Sequence, residues 1–129
     1  MTGSIRDLVV GVDVGSQGTC AQALEPDGTL VATAYAAHDL SYPHAGWAEQ
    51  DPGEWTRALV STLSSLREAT AGREIVALSF GSQLDGVVAT DADGEPLRPA
   101  LIWADRRAGE ECAATDNGCD SIGESVAWS

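Results

Sequence analysis

The sequence predicts a layered α/β or α+β domain, and three observations carry that expectation. A Val-rich run at Leu8–Val14 is followed, through short turns, by two more apolar runs. A capped amphipathic segment extends from Asp51 to Gly72. A further apolar run, Ile75–Phe80, comes directly after it.

Leu8–Val14 (LVVGVDV) is rich in β-branched residues, ends at a Gly-containing turn, and reads as a strand buried on both faces. The turn Gly15–Gly18 leads into Cys20–Leu24, and Pro26-Asp27-Gly28 supplies turn chemistry before a third strand at Leu30–Ala36. Strands joined by such short turns form, most simply, an antiparallel meander. His38–Gln50, with Pro43 and Gly46, reads as a long surface connection. Asp51-Pro52-Gly53-Glu54 is a helix start: Asp51 accepts from a free N–H, Pro52 suits the first helical position, and Glu54 sits where a capping-box carboxylate belongs. Trp55, Leu59, Leu63 and Leu66 then recur at helical spacing, with Ala58, Thr62 and Ala69 on much the same face and Gly72 as the stop. Ile75–Phe80 follows as a strand reached by a crossover, and so parallel to a neighbour. Gly86–Thr90, the turn Asp91–Gly94 and Leu97–Trp103 suggest a hairpin, and a charged segment from Asp105 to about Ala114 has helical character. Beyond Thr115 neither period nor cap is legible.

The chain has 129 residues, 43% of them hydrophobic, which is enough for one cored domain. Its net charge is −13, with seven Arg and no Lys. That balance repels phosphate backbones and anionic membranes, so nucleic acid and membrane are excluded as expected partners. A nucleotide remains compatible where Mg²⁺ and backbone N–H groups neutralise its phosphates. The polar Met1–Asp7 start and short Leu8–Val12 run match neither a signal peptide nor a membrane span. Cys20, Cys112 and Cys119 lack paired spacing, which points away from disulfides and zinc and towards a cytosolic chain.

Three segments have chemistry-bearing composition. Asp13-Val14-Gly15-Ser16-Gln17-Gly18-Thr19 places a carboxylate at a strand end beside a Gly-rich, hydroxyl-bearing turn. Such a turn brings N–H groups close to phosphate oxygens while the Asp holds Mg²⁺ through water; it is equally compatible with an ordinary hairpin turn. Ser82-Gln83-Leu84-Asp85-Gly86 follows the strand Ile75–Phe80, at the carboxyl end where open α/β sheets bind ligands. There Gln83 and Asp85 suit a polyol's hydroxyls, or form a plain polar loop. Trp103-Ala104-Asp105-Arg106-Arg107 offers an indole wall and a carboxylate to a sugar. The alternative places Trp103 in the core, Asp105 as a helix N-cap, and Arg106 and Arg107 in solvent. His38 and His44 have no partners at metal-ligand spacing.

Val9–Thr19 (VVGVDVGSQGT), Gly46–Trp55 (GWAEQDPGEW), Ser79–Val88 (SFGSQLDGVV) and Asp91–Ala108 (DADGEPLRPALIWADRRA) together resemble the start of the FGGY family of carbohydrate kinases, most closely its xylulokinases. The blocks occur in the family's order with matching gaps, over about residues 8–110. The resemblance implies a ribonuclease H-like, actin-type ATPase fold of α/β class, here as an incomplete N-terminal half. Residues 1–115 would be the first part of the N-terminal domain, 116–129 a tail without clear resemblance, and the C-terminal nucleotide domain absent. The implied activity is ATP- and Mg²⁺-dependent phosphorylation of a hydroxyl on a pentose or ketose sugar, in the cytoplasm, by a protein that is a possible homodimer at full length. Asp13 would organise Mg²⁺, and Gly15, Ser16, Gln17 and Thr19 would form the phosphate turn. Gln83, Leu84, Asp85, Trp103 and Asp105 would face the sugar.

Leu84-Asp85 falls where xylulokinases commonly carry Met-His, which leaves D-xylulose, a related pentose or a polyol open. Cys20 stands where the family usually has Lys or Arg. The family's general-base Asp is expected beyond Ser129, so no catalytic residue is assigned and the chain is expected to be inactive alone. Two further readings stay open: a non-catalytic sugar-binding or regulatory remnant of such a kinase, and a different actin-fold ATPase. The Trp47, Trp55 and Trp103–Arg107 positions speak against the last.

Overall fold

A computed structural model describes residues 7–114. Three strands form the expected meander: β1 (Asp7–Val14), β2 (Gly18–Leu24) and β3 (Leu30–Ala37), each antiparallel to the next. A two-residue strand β4 (Glu49–Gln50) precedes helix α1 (Pro52–Ala69). After the helix, β5 (Glu74–Ser82) returns parallel to β1, giving the sheet order β3-β2-β1-β5. A second small sheet pairs β4 with β6 (Ala100–Leu101), and α2 (Gly109–Ala114) closes the described chain. Among the described residues no helix is long and apolar enough to cross a membrane.

Asp51 caps α1 through its side chain, which accepts from the Gly53 N–H at 2.8 Å. Glu54 does not close a capping box. Its carboxylate reaches the Asp39 N–H instead, at 2.9 Å, because the chain leaving β3 runs past the first helical turn and offers an unpaired donor. Helix α1 lies across β2 and β3 and buries Ala58, Thr62 and Leu66, with Leu59 and Leu63 partly covered. Ala69 is exposed and Thr70 is buried in its place as the C-cap; Gly72 stands two residues further on with φ +83°.

The core consists of Leu8, Val10 and Val12 from β1, Ala21 and Ala23 from β2, and Leu66 from α1. β1 is therefore buried on one face rather than on both. Gly11 and Asp13 on its other face are exposed, because α1 packs on the opposite side of the sheet. The stretch after β3 is likewise not a pure surface connection: His38, Ala48, Glu49 and Gln50 are buried. The expected hairpin is present as bridges, Val87 with Leu101 and Thr90 with Pro96. Its regular part is only β6, since Leu101 and Ala100 are also claimed by β4. Of the segment 105–114, only Gly109–Ala114 is helical. The tail 116–129 lies outside the described residues.

Candidate functional site

β1 and β5 run parallel, so their carboxyl ends open on the same side of the molecule. Asp13 is exposed at the end of β1, with Cys20 across on β2 and Gly81 across on β5. These residues line an open hollow of about 310 Å³ on the face that α1 leaves bare, together with Gly11, Gln22 and Ser79. Among the described residues the Asp13 carboxylate has no hydrogen bond or ion pair. Glycines flank it. A Cβ on Gly81 would stand 3.6 Å from one carboxylate oxygen, and a Cβ on Gly15 3.8 Å from the other. That cleared space suits a hydrated divalent cation: Mg²⁺ keeps most of its waters and takes one or two carboxylates plus substrate phosphates.

The turn that follows has the Ser16 and Gln17 carbonyls held and the N–H groups of the same two residues spare. Gly15 N–H donates to the Gly18 carbonyl at 3.0 Å. The Gln17 carbonyl accepts from the Tyr35 hydroxyl at 3.0 Å and from the His38 N–H at 3.3 Å. The Ser16 carbonyl accepts from Gln50 Nε2 at 2.6 Å. The N–H groups of Ser16 and Gln17 donate to no described residue. A Gly-rich turn with unclaimed N–H groups is the backbone arrangement that receives anions. A Cβ on Gly18 would overlap the end of the exposed Tyr35 ring that crosses it, so a side chain there would push the ring off the turn. Thr19 stands apart. It is fully buried with its hydroxyl unpartnered, and it belongs to the face packed by α1, where its carbonyl accepts from Thr62.

Gln83 begins the loop after β5, and its N–H donates to the Val14 carbonyl at 3.0 Å. Its side-chain amide donates to Gln50 Oε1 at 2.8 Å, while its own Oε1 is buried without a partner. Leu84 and Asp85 are exposed, and Asp85 has φ +57°, a left-handed conformation that Asp tolerates better than most residues. Gly86 lets this loop approach β6 closely, since a Cβ there would lie 3.0 Å from the Leu101 carbonyl. The Val87–Leu101 bridge thus sets the Leu84-Asp85 loop beside the segment leading to Trp103, whose side chain is 53% exposed.

Asp105 is neither an open sugar-facing carboxylate nor a helix cap. Its oxygens accept from the Ala48 N–H at 2.7 Å, from the Arg107 N–H at 3.0 Å, and from the Arg107 guanidinium at 2.7 to 3.0 Å. The Arg107 bonds hold its carboxyl far below the usual carboxylate range, with burial opposing. Arg107 also bonds Glu49 at 2.7 Å and lies 3.7 Å over the Trp47 ring. Glu49 bonds Arg98 as well, so this cluster locks β4 to the segment after β6. Arg107 is therefore an internal strut rather than a solvated charge.

Reading residues in turn missed Gln50, which is 2% exposed and touches the turn, the loop, the His38-Asp39 stretch after β3 and α1 at once. Its one signal is position: a polar residue directly before the Asp51 cap, inside the Gly46–Trp55 block.

Comparison with known proteins fits this geometry. The model of the FGGY family of carbohydrate kinases, N-terminal domain, matches residues 8–125. The xylulose kinase of Streptomyces coelicolor is 39% identical over 129 residues, which is 99% of this chain and 25% of that protein. The Escherichia coli xylulose kinase is 32% identical over 105 residues, 81% of this chain and 22% of that protein. The crystal structure of the xylulose kinase from Rhodospirillum rubrum superposes with a TM-score of 0.80 at 33% identity, covering 82% of this chain and 22% of that one. The chain thus spans about a quarter or less of the relatives it matches. Its sheet and helix are an N-terminal part of the actin-type ATPase fold, and the chain belongs to the FGGY family of carbohydrate kinases, within their N-terminal domain.

Proposed function

We propose that this chain supplies the sugar-facing and phosphate-facing portion of an ATP-dependent carbohydrate kinase of the xylulose kinase type. The reaction moves the γ-phosphoryl group of ATP to a hydroxyl of a pentose or ketose, with Mg²⁺ neutralising the phosphates. The observation that carries this reading is the meeting of the bare Asp13 carboxylate, the Ser16-Gln17 N–H groups and the Gln83 loop at the carboxyl ends of two parallel strands. In this reading Asp13 holds Mg²⁺ through water, and the Ser16 and Gln17 N–H groups receive phosphate oxygens. Leu84, Asp85 and the Trp103 indole face the sugar. Asp105 serves the same side by fixing the Trp103 segment, since Arg107 and the Ala48 N–H occupy its oxygens.

Tryptophan fluorescence tests the sugar side. D-xylulose or a related polyol is expected to change the emission of the chain saturably, and Trp103→Phe to remove most of that change. An emission unaffected by pentoses and polyols at tens of millimolar, or a change retained in Trp103→Phe, would remove the sugar assignment from this face.

A further inference from the structure

Among the described residues, the Gln50 side chain bonds both halves of the proposed site. Its Nε2 lies 2.6 Å from the Ser16 carbonyl, 3.1 Å from the Asp39 carbonyl and 3.2 Å from His38 Nδ1. Its Oε1 accepts from Trp55 Nε1 at 3.2 Å and from Gln83 Nε2 at 2.8 Å. The amide has only one orientation that works. Backbone carbonyls only accept and an indole N–H only donates, so the nitrogen must face Ser16 and Asp39 and the oxygen must face Trp55. Gln83 must then present its NH₂ to Gln50, which fixes that amide as well. The two protons of the Gln50 nitrogen serve the Ser16 and Asp39 carbonyls, and His38 Nδ1 at 3.2 Å at most shares one of them, as the neutral ring that its burial favours.

We infer that Gln50 is a positioning residue that ties the Gly15–Gln17 turn to the Gln83 loop, so that occupancy of the loop is felt at the turn. This rests on the sugar kinase reading of the site. The alternative of a passive core amide is less apt. Any buried amide must find partners, but here the two shortest bonds, to Ser16 and to Gln83, go to the two segments that carry spare donors and exposed ligand-type side chains, and a phosphoryl transfer site needs its two substrates held in one geometry.

The test uses the ¹⁵N-labelled 129-residue chain, with D-xylulose as the probe. In the wild type the sugar is expected to shift the amides of Leu84–Gly86 and, through Gln50, those of Gly15–Gln17. Gln50→Met keeps the length and removes the polar atoms. Its loop shifts are expected to persist with similar affinity, while the turn shifts fall at least about fivefold and Gly15 exchanges at least about tenfold faster with Val10 unchanged. Turn shifts that survive in Gln50→Met overturn the inference.

Should that variant fail to fold, the wild type still decides through the Gln50 side-chain amide protons. The sugar must shift these together with the loop amides while those of exposed Gln22 stay in place, and Gln50 side-chain protons that do not move overturn the inference. If D-xylulose shifts nothing in the wild type, the sugar assignment of the loop and the inference that rests on it fall together, whereas loop shifts without turn shifts overturn the inference alone.

Discussion

At the scale of single residues, the phosphate-type turn depends on an absence of side chain. Tyr35 crosses Gly18 and bonds the Gln17 carbonyl, so Gly18→Ala displaces this exposed ring, breaks that bond and should cost about 1 kcal/mol in a denaturant melt. In the Tyr35→Ala background the same change should cost much less, because the two sites share one volume. Asp105 and Arg107 form an almost closed ion pair, with side-chain exposures of 7% and 16%. Asp105→Asn is expected to cost roughly 2 kcal/mol, since the guanidinium keeps Glu49 but loses its paired bonds to a charged carboxylate.

Two groups also set a pH dependence. Burial lowers the His38 pKa, with Glu54 on α1 opposing, so the unfolded chain binds a proton that the fold resists. Stability on this account falls as pH drops from about 6.5 towards the folded pKa. Asp105 has the opposite sign of shift relative to its charge: its contribution is present above about 4 and is lost as pH falls further. Thermal melts between pH 8 and 3 should show two separate losses, and His38→Asn should remove the upper one.

At the scale of elements, the helix start is a local and testable device. Asp51→Ala removes the acceptor for the Gly53 N–H and the partner of Arg57, and should cost about 1 kcal/mol. Local devices of this kind were legible in the sequence: the cap at Asp51, the meander turns, and the β5 strand returning parallel after a helix. The Gly15–Gly18 turn was legible too, because glycines beside a strand-end carboxylate restrict what the backbone can do. The two-residue strands β4 and β6 were not, since two residues carry no period and their pairing joins positions some fifty apart. The same limit hid Gln50 and the Glu49–Arg98–Arg107–Asp105 cluster, whose partners are set by tertiary approach. It also misplaced Glu54, whose capping-box spacing was right while a nearer backbone donor, Asp39, decided the bond.

At the scale of the whole molecule, one helix covers one face of a four-stranded sheet, and β5 stands at its edge. Ile75, Val76, Leu78 and Phe80 are 39 to 57% exposed, with no charge in the strand after Glu74. A long apolar edge of this kind recruits other strands, whereas the net charge of −13 keeps copies apart. Self-association in sedimentation should therefore increase from about 20 to about 300 mM NaCl as charge is screened, and Leu78→Lys should suppress it.

The central claim, that this face serves sugar phosphorylation, is tested most directly by transplantation. Residues 8–125 replace the corresponding segment of the Streptomyces coelicolor xylulose kinase, and D-xylulose-dependent ATP consumption is measured. The account predicts turnover within about a hundredfold of the parent enzyme, falling by at least about another hundredfold in Asp13→Asn. A chimera that folds like the parent yet consumes no ATP in response to any pentose, ketose or polyol would contradict it.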